Sequence, residues 1–330
     1  MPAVLYICAR TGMKVLIEDQ EMSDITNKIV EEIGKVIKGK DDVIRMTLCA
    51  MLAGGHVLLE DIPGVGKTTL ALALSKALSL DHKRVQFTPD VMPSDLLGFN
   101  MYDKASGTFR FNEGSIYTNL FLADEINRTS PKTQSALLEV MEEGAATVEG
   151  ETRVMPKPFF VIATQNPFGS AGTQKLPESQ LDRFLISLTM GYPDRKSAID
   201  VLKGGSREAI DTVEPVSDGT GIMKMQDEVE ALHVDDSIYD YIVRLCEQTR
   251  NGRYFELGLS PRGSIAIMKA AKACAYIEGR DYLIPEDIHE IFPYVASHRL
   301  RLNANAKAAG TTRDKAFEAI LDEVSIPKVN

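Results

Sequence analysis

Runs of positive charge are missing from this sequence. Its 330 residues carry 37 Lys and Arg against 47 Asp and Glu, a formal net charge of -10. A surface built for broad contact with a phosphate backbone is therefore not expected, although a local channel stays open. Cysteine is scarce as well. Cys8, Cys49, Cys246 and Cys274 lie far apart with no metal-type spacing, which fits a reduced, cytoplasmic setting. The five histidines do not pair at ligand spacings, so a zinc site is not indicated. No apolar run approaches the ~18 residues of a membrane span. The longest, Leu48 to Leu59, is interrupted by Gly54, Gly55 and His56. The opening stretch MPAVLYICARTGMK has no positive charge before its apolar part and no clear cleavage site, which argues against a signal peptide. Residues 1–22 are expected to be a leader without fixed structure, with Met13 and Met22 as alternative starts. Internal repeats and low-complexity tracts are missing too.

What is present is a globular composition, 44% hydrophobic and 25% charged, over a length that suits two or three domains. Ile25 to Leu52 reads as helical. Val57 to Glu60 and Leu120 to Ala123 read as short apolar strands, Arg84 to Phe87 as another short strand, and Phe159 to Thr164 and Leu185 to Thr189 as buried strands. Helices are expected over Thr68 to Leu80 and over SPKTQSALLEVMEEG, where Ser130 caps, Pro131 opens and Gly144 closes the segment. Strands alternating with helices predict a parallel sheet covered on both faces. From GYPDR, Gly191 to Arg195, only helices follow. Lys203 to Val229 reads as a polar connection of weak helical content, and DDSIYDYIVRLCEQTRNG, SPRGSIAIMKAAKACAYIEG and IPEDIHEIF read as helices. The expected organisation is an α/β domain over 23–191 and an all-α domain over 192–330.

The chemistry begins in HVLLEDIPGVGKTTLALALSKAL, which reads as strand, loop and helix. Phosphates need many donors, and a Gly-rich loop lets the backbone N–H groups of Gly64, Val65, Gly66 and Lys67 point inward while the following helix adds its positive end. Lys67 would reach the β- and γ-phosphates and Thr68 would ligate Mg2+. Asp61 stands where the general pattern has its first Gly. In LFLADEIN a buried strand delivers Asp124 and Glu125 at its C-terminal end, where open α/β sheets bind ligands. Asp124 suits an outer contact to Mg2+, and Glu125 suits the base that polarises the attacking water. FFVIATQNP ends in Asn166, which could orient that water or simply form a turn with Pro167. Arg183 in LPESQLDRFLISL is either a surface arginine paired with Asp182 or Glu178, or a finger offered to a neighbouring subunit's ATP. Arg262 sits in the first turn of a helix, where the dipole mildly disfavours a cation. Taken alone it reads as a solvated arginine at a helix start, and the conflict hints instead at an anionic partner such as a phosphate.

These elements, in this order and followed by helices, resemble AAA+ ATPases. Long phrases narrow the likeness: GHVLLEDIPGVGKT, LADEINRTSPKTQSALLEVMEEG, PFFVIATQNP, GTQKLPESQLDRF, GYPDR and LSPRGS with AYIEGRDYLIPEDI are similar to the MoxR family, from about Ser23 to Leu302. The resemblance implies a P-loop NTPase fold, a parallel five-stranded sheet flanked by helices and followed by a smaller all-α lid. It implies a phosphate cradle over Pro63, Gly64, Val65, Gly66, Lys67, Thr68 and Thr69, with Val36 and Ile37 in VIKGK bordering adenine. Asp124 and Glu125 would be the Walker B acids, Asn166 sensor 1, Arg183 the trans-acting finger and Arg262 sensor 2. LLGFNMYDKASGTFRFNEG resembles the helix-2 insert of the family and GAATVEGETRVMPKP its hairpin before sensor 1.

The resemblance further implies an ATP- and Mg2+-dependent, chaperone-like homo-oligomer, typically a hexamer. Such a ring remodels a protein client or assists metal-cofactor insertion, often beside a protein with a von Willebrand factor A domain. Three rivals stand beside this reading. A DNA motor would want basic hairpin tips, and here Glu149 and Glu151 flank the turn. A non-enzymatic ATP switch would need no Glu125. A chelatase-type subunit shares the architecture and is set apart by resemblance alone.

Overall fold

The computed structural model describes residues 24–166, 176–202 and 209–327, and nine strands lie among them. In chain order these are β1 (Val57–Glu60), β2 (His82–Gln86), β3 (Phe99–Asp103), β4 (Thr108–Asn112), β5 (Leu120–Asp124), β6 (Ala145–Val148), β7 (Glu151–Val154), β8 (Phe160–Gln165) and β9 (Ile186–Leu188). Five of them form one sheet in the order β2-β5-β8-β1-β9, and every neighbouring pair is parallel. The expected α/β sheet is therefore present, and a small all-α lid follows it.

The strand sequences explain the sheet. A parallel strand covered on both faces reads as a nearly unbroken apolar run, and β5 (LFLAD) is buried at every position. Alternate residues feed two cores. Val57, Leu59, Leu122 and Ile162 pack with Ile44 and Leu48 of the helix Asp41–Leu52 and with Leu70 and Leu74 of the helix Lys67–Ala77. Leu58, Phe121, Ala123 and Val161 turn the other way, onto Leu137, Leu138 and Met141 of the helix Pro131–Glu143. The first core runs on into the lid through Ile267, Ala270, Ile288 and Phe292. Each of the large side chains, such as Ile267, Ile288 and Phe292, contributes roughly 1.5–3 kcal/mol on burial, so the lid is held by packing as well as by its chain connection.

Several local expectations change. The helical stretch from Ile25 is interrupted: a helix covers 24–34, a loop follows, and the helix Asp41–Leu52 begins after it. Gly39 takes a positive φ of 69° inside that loop, a conformation glycine adopts at little cost. The connection from Lys203 contains a full helix, Gly219–Ala231. Its cap is Asp218, whose carboxylate accepts from the Gly221 N–H at 2.8 Å, and it buries Ile222, Met225 and Val229. The leader at 1–22 lies outside the described residues, as do residues 172–175 of GTQKLPESQLDRF. No described helix is long and apolar enough to cross a membrane.

The two inserts are β-hairpins, β3–β4 and β6–β7. The first leaves the body through a pinch that only glycine fits, since a Cβ on Gly114 would sit 2.0 Å from the Leu96 carbonyl oxygen. The second turns at Glu149 and Gly150, both at positive φ, as a tight hairpin turn demands. The hairpins touch each other. Asn100 donates to Glu149 at 2.8 Å, and the Arg153 guanidinium lies 3.7 Å over the Phe111 ring.

Candidate active site: a phosphate cradle and a separate arginine pair

The cradle follows directly from β1. The strand ends at Glu60, and the loop turns through Gly64 and Gly66, at φ of 85° and 101°. Those angles are costly for any residue with a Cβ. Gly66 also begins the helix Lys67–Ala77, so the loop amides and the positive helix end converge. The cavity in front of them, about 300 Å3, is lined by Val36, Ile37, Gly64, Val65, Gly66 and Thr69 with Met190 and Gly191. The loop that breaks the first helical stretch thus brings Val36 and Ile37 beside the cradle. Thr68 is exposed in the first turn of the helix and Pro63 is exposed at the loop's entry.

Lys67 is buried, and its ammonium donates to the Asp61 carbonyl at 2.9 Å. Burial lowers its pKa, while Asp124, Asp61 and Glu125 pull the other way. Asp61, the departure from the general loop pattern, is 5% exposed with both carboxylate oxygens engaged. One accepts from the Ile62 N–H at 2.9 Å and the other from the Gly191 N–H at 2.7 Å.

The end of β5 carries the two acids. Asp124 accepts from the Thr164 hydroxyl at 2.7 Å on one oxygen and from Arg84 at 2.7 Å on the other. Glu125 follows in the left-handed region, φ 57°, which is uncommon for a residue with a side chain and is stabilised by its surroundings. Its N–H donates to Thr164 Oγ1 at 2.9 Å. Its carboxylate accepts from Gln86 at 3.0 Å and from Arg128 at 2.7 Å. Thr164 therefore fixes both acids through one hydroxyl. Gln86 lies beside Asp124 because β2 pairs in register with β5. Thr68 and Asp124 offer hard oxygen donors of the kind Mg2+ accepts. Among the described residues no group of three or more His, Cys, Asp or Glu could hold a metal alone. Such an ion would share its coordination with phosphate oxygens. Asn166 follows β8 and borders a different cavity with Glu60, Asn127 and Gln165. Its carbonyl accepts from Asn127 at 3.4 Å.

Arg183 and Arg262 are brought together, away from the cradle cavity. Both line a cavity of about 200 Å3 that shares no lining residue with the first. The anion that Arg262 finds is Glu142, and the same carboxylate takes Arg183 through Nε at 2.8 Å. The alternative partners of Arg183 are committed elsewhere: Asp182 binds Arg299 and Ser260, and Glu178 binds Arg301. Sequence reasoning missed Arg84, Gln86, Arg128 and Glu142. Only the strand register could have pointed to Gln86, and nothing local points to Glu142.

Comparison with known proteins agrees with this architecture. Residues 56–186 match the AAA_3 family, ATPases associated with various cellular activities, and residues 247–322 match an AAA lid domain. The uncharacterised protein YeaC of Bacillus subtilis is 48% identical, with 93% of this chain and 97% of that protein aligned. The chaperone MoxR1 of Mycobacterium tuberculosis is 36% identical, with 92% and 82% aligned. A crystal structure of an inferred ATPase from Cytophaga hutchinsonii superposes with a TM-score of 0.87 at 35% identity, covering 96% of this chain and 99% of its own. The chain is an ATPase with an AAA domain followed by an AAA lid, and it belongs to the MoxR family of AAA+ ATPases.

Proposed function

We propose that this ATPase works as one subunit of a six-membered ring that spends Mg2+-dependent ATP hydrolysis on remodelling a protein client. A partner with a von Willebrand factor A domain and a role in metal-cofactor insertion belong to the same reading. Within it, residues 23–191 bind nucleotide and residues 192–330 form the lid. Pro63 to Thr69 cradle the phosphates, with Lys67 leaving the Asp61 carbonyl for them, and Val36 and Ile37 border the base. Thr68 and Asp124 hold Mg2+, which supplies charge neutralisation beside the phosphates. Glu125 accepts the proton of the attacking water, and Asn166 orients that water.

The observation that carries the ring is the position of Arg183. It lines a cavity apart from the cradle of its own chain, yet transfer of a phosphoryl group needs a cation at the developing charge. A second subunit is the natural recipient. The MoxR1 relative is named a chaperone, which supports a protein client. A DNA track is disfavoured by the acidic tip of the β6–β7 hairpin, where Glu149 sits beside Glu151.

The test is ATP hydrolysis against protein concentration, with Arg183→Ala alongside. Specific activity is expected to climb with concentration, and the variant to lose about 10³-fold or more in rate while still binding ATP. Activity that is flat with concentration and indifferent to Arg183 would refute the ring.

A further inference from the structure

Two guanidinium groups do not become neighbours without cause. Arg183 lies just after the short helix Glu178–Leu181, and Arg262 opens the lid helix Pro261–Ile277. Their like charges repel, and Arg262 also faces the unfavourable end of its helix. Glu142, at the end of the helix Pro131–Glu143, offsets both by accepting from each arginine on a separate oxygen.

The mount beneath is independently built. Ser260 caps the lid helix by accepting from the Gly263 N–H at 3.2 Å, and its own hydroxyl donates to Asp182 at 2.8 Å. Arg299, with its side chain 5% exposed, donates to Asp182 at 2.7 Å and to the Phe184 and Leu185 carbonyls at 2.6 and 3.0 Å. The segment bearing Arg183 is thus joined to the lid on both sides of Arg183, to the cap of the Arg262 helix through Asp182 and to Arg299 through Asp182, Phe184 and Leu185. Arg183 gives Glu142 only its Nε and Arg262 one terminal nitrogen, which leaves further N–H groups of each fork for an incoming anion. The side chain of Arg262 is 52% exposed.

We propose that Glu142 is a positioning residue that holds Arg183 and Arg262 as one two-pronged unit, presented to the phosphates of the neighbouring subunit's nucleotide. The proposal rests on the ring reading above. Glu142 touches no substrate. It acts by fixing where the two cations stand, and small displacements of such groups are costly in rate.

The experiment measures kcat, nucleotide affinity and subunit mixing for Glu142→Ala and for Glu142→Gln, which keeps the side-chain volume if the alanine variant fails to fold. Both are expected to lose about tenfold or more in kcat, while the Kd of a fluorescent ATP analogue stays within about twofold, because the variant's own cradle is untouched. Mixing either variant 1:1 with Glu125→Gln subunits is then expected to restore activity. Roughly a quarter of the interfaces in a random ring join an intact base to an intact arginine pair. Arg183→Ala mixed with Glu125→Gln serves as the reference. If that reference recovers and the Glu142 mixture does not, Glu142 serves its own subunit and the proposal falls alone. If neither recovers, the ring reading falls and takes the proposal with it. An unchanged or raised kcat would mean that Glu142 merely parks the arginines, and a lost ATP affinity would mean that it supports the cradle; either overturns the proposal.

Discussion

The cradle around Lys67 and the arginine pair around Glu142 are both charged sites, assembled by opposite means. In the cradle the acids come first, and each is matched by its own arginine: Asp124 by Arg84, Glu125 by Arg128. The acids stand at and just after the end of β5, Arg84 on the neighbouring β2, Arg128 in the short helical turn that follows β5 and Lys67 at the start of its helix, so the sheet with the segments at its strand ends sets the geometry. At the second site the cations come first and one acid matches both. Its contacts cross from the α/β part to the lid, linking residues 78 to 120 positions apart. A site of the first kind survives as long as its sheet does. A site of the second kind depends on how two bodies are docked, and a change of docking can switch it.

The sharpest way to separate the two is Glu125→Gln. Turnover should fall by about 10³-fold, in the range lost with a general base, while ATP Kd is unchanged. Retained turnover in a steady-state assay would move the base elsewhere.

Acid should attack the second site first. Burial pushes His56 down to about 4, and burial with Arg299 beside it pushes His298 well below its usual value. His56 Nε2 faces the Met141 carbonyl at 3.0 Å, next to Glu142, while its Nδ1 accepts from the Val161 N–H at 3.1 Å. A second proton would face that N–H donor. His298 Nε2 faces the Phe184 carbonyl at 3.1 Å, next to Arg183. Both histidines are therefore neutral when folded, and the unfolded chain binds more protons below pH 6.5. Stability is full above that pH and falls as acid is added, by about 2 kcal/mol for His56 at pH 5. Denaturant midpoints at pH 7 and pH 5 check this, and His56→Gln should flatten the slope. Hydrogen exchange should loosen around 141–142 and 184–185 before it loosens in the helix Lys67–Ala77.

The smallest effect is expected from Arg84→Ala. The side chain of Arg84 is 47% exposed, so its pair with Asp124 is worth at most about 1 kcal/mol after solvent screening. Removing it frees Asp124, and the Mg2+ concentration for half-maximal turnover should drop by up to about fivefold. A rise instead would mean that Arg84 orients the carboxylate rather than competing for it.

The contrast also explains what could be read from the chain. The strands, the capped helices starting at Ser130 and Ser260, and the cradle with its two acids are local patterns, and periodicity and turn chemistry reveal them. The helix Gly219–Ala231 was hidden by two glycines in its first turn, although Asp218 and the spacing of Ile222, Met225 and Val229 carried the signal. The break after residue 34 was hidden because Val36 and Ile37 continue an apolar pattern while leaving the helix. The conflict of Arg262 with its helix dipole pointed to an anion such as a phosphate, whereas the anion it meets is Glu142. Glu142 could not be named, because acidic residues at a helix end look alike until the lid is folded against them.

Asp61 deserves a mechanical reading. Its carbonyl holds the Lys67 ammonium and its carboxylate holds the amide of Gly191, where the sheet gives way to helices. One residue is thus a linkage with two pins, one in the phosphate loop and one at Gly191. At the position where the general pattern has glycine, this chain carries a side chain that ties the loop before Lys67 to the turn at Gly191.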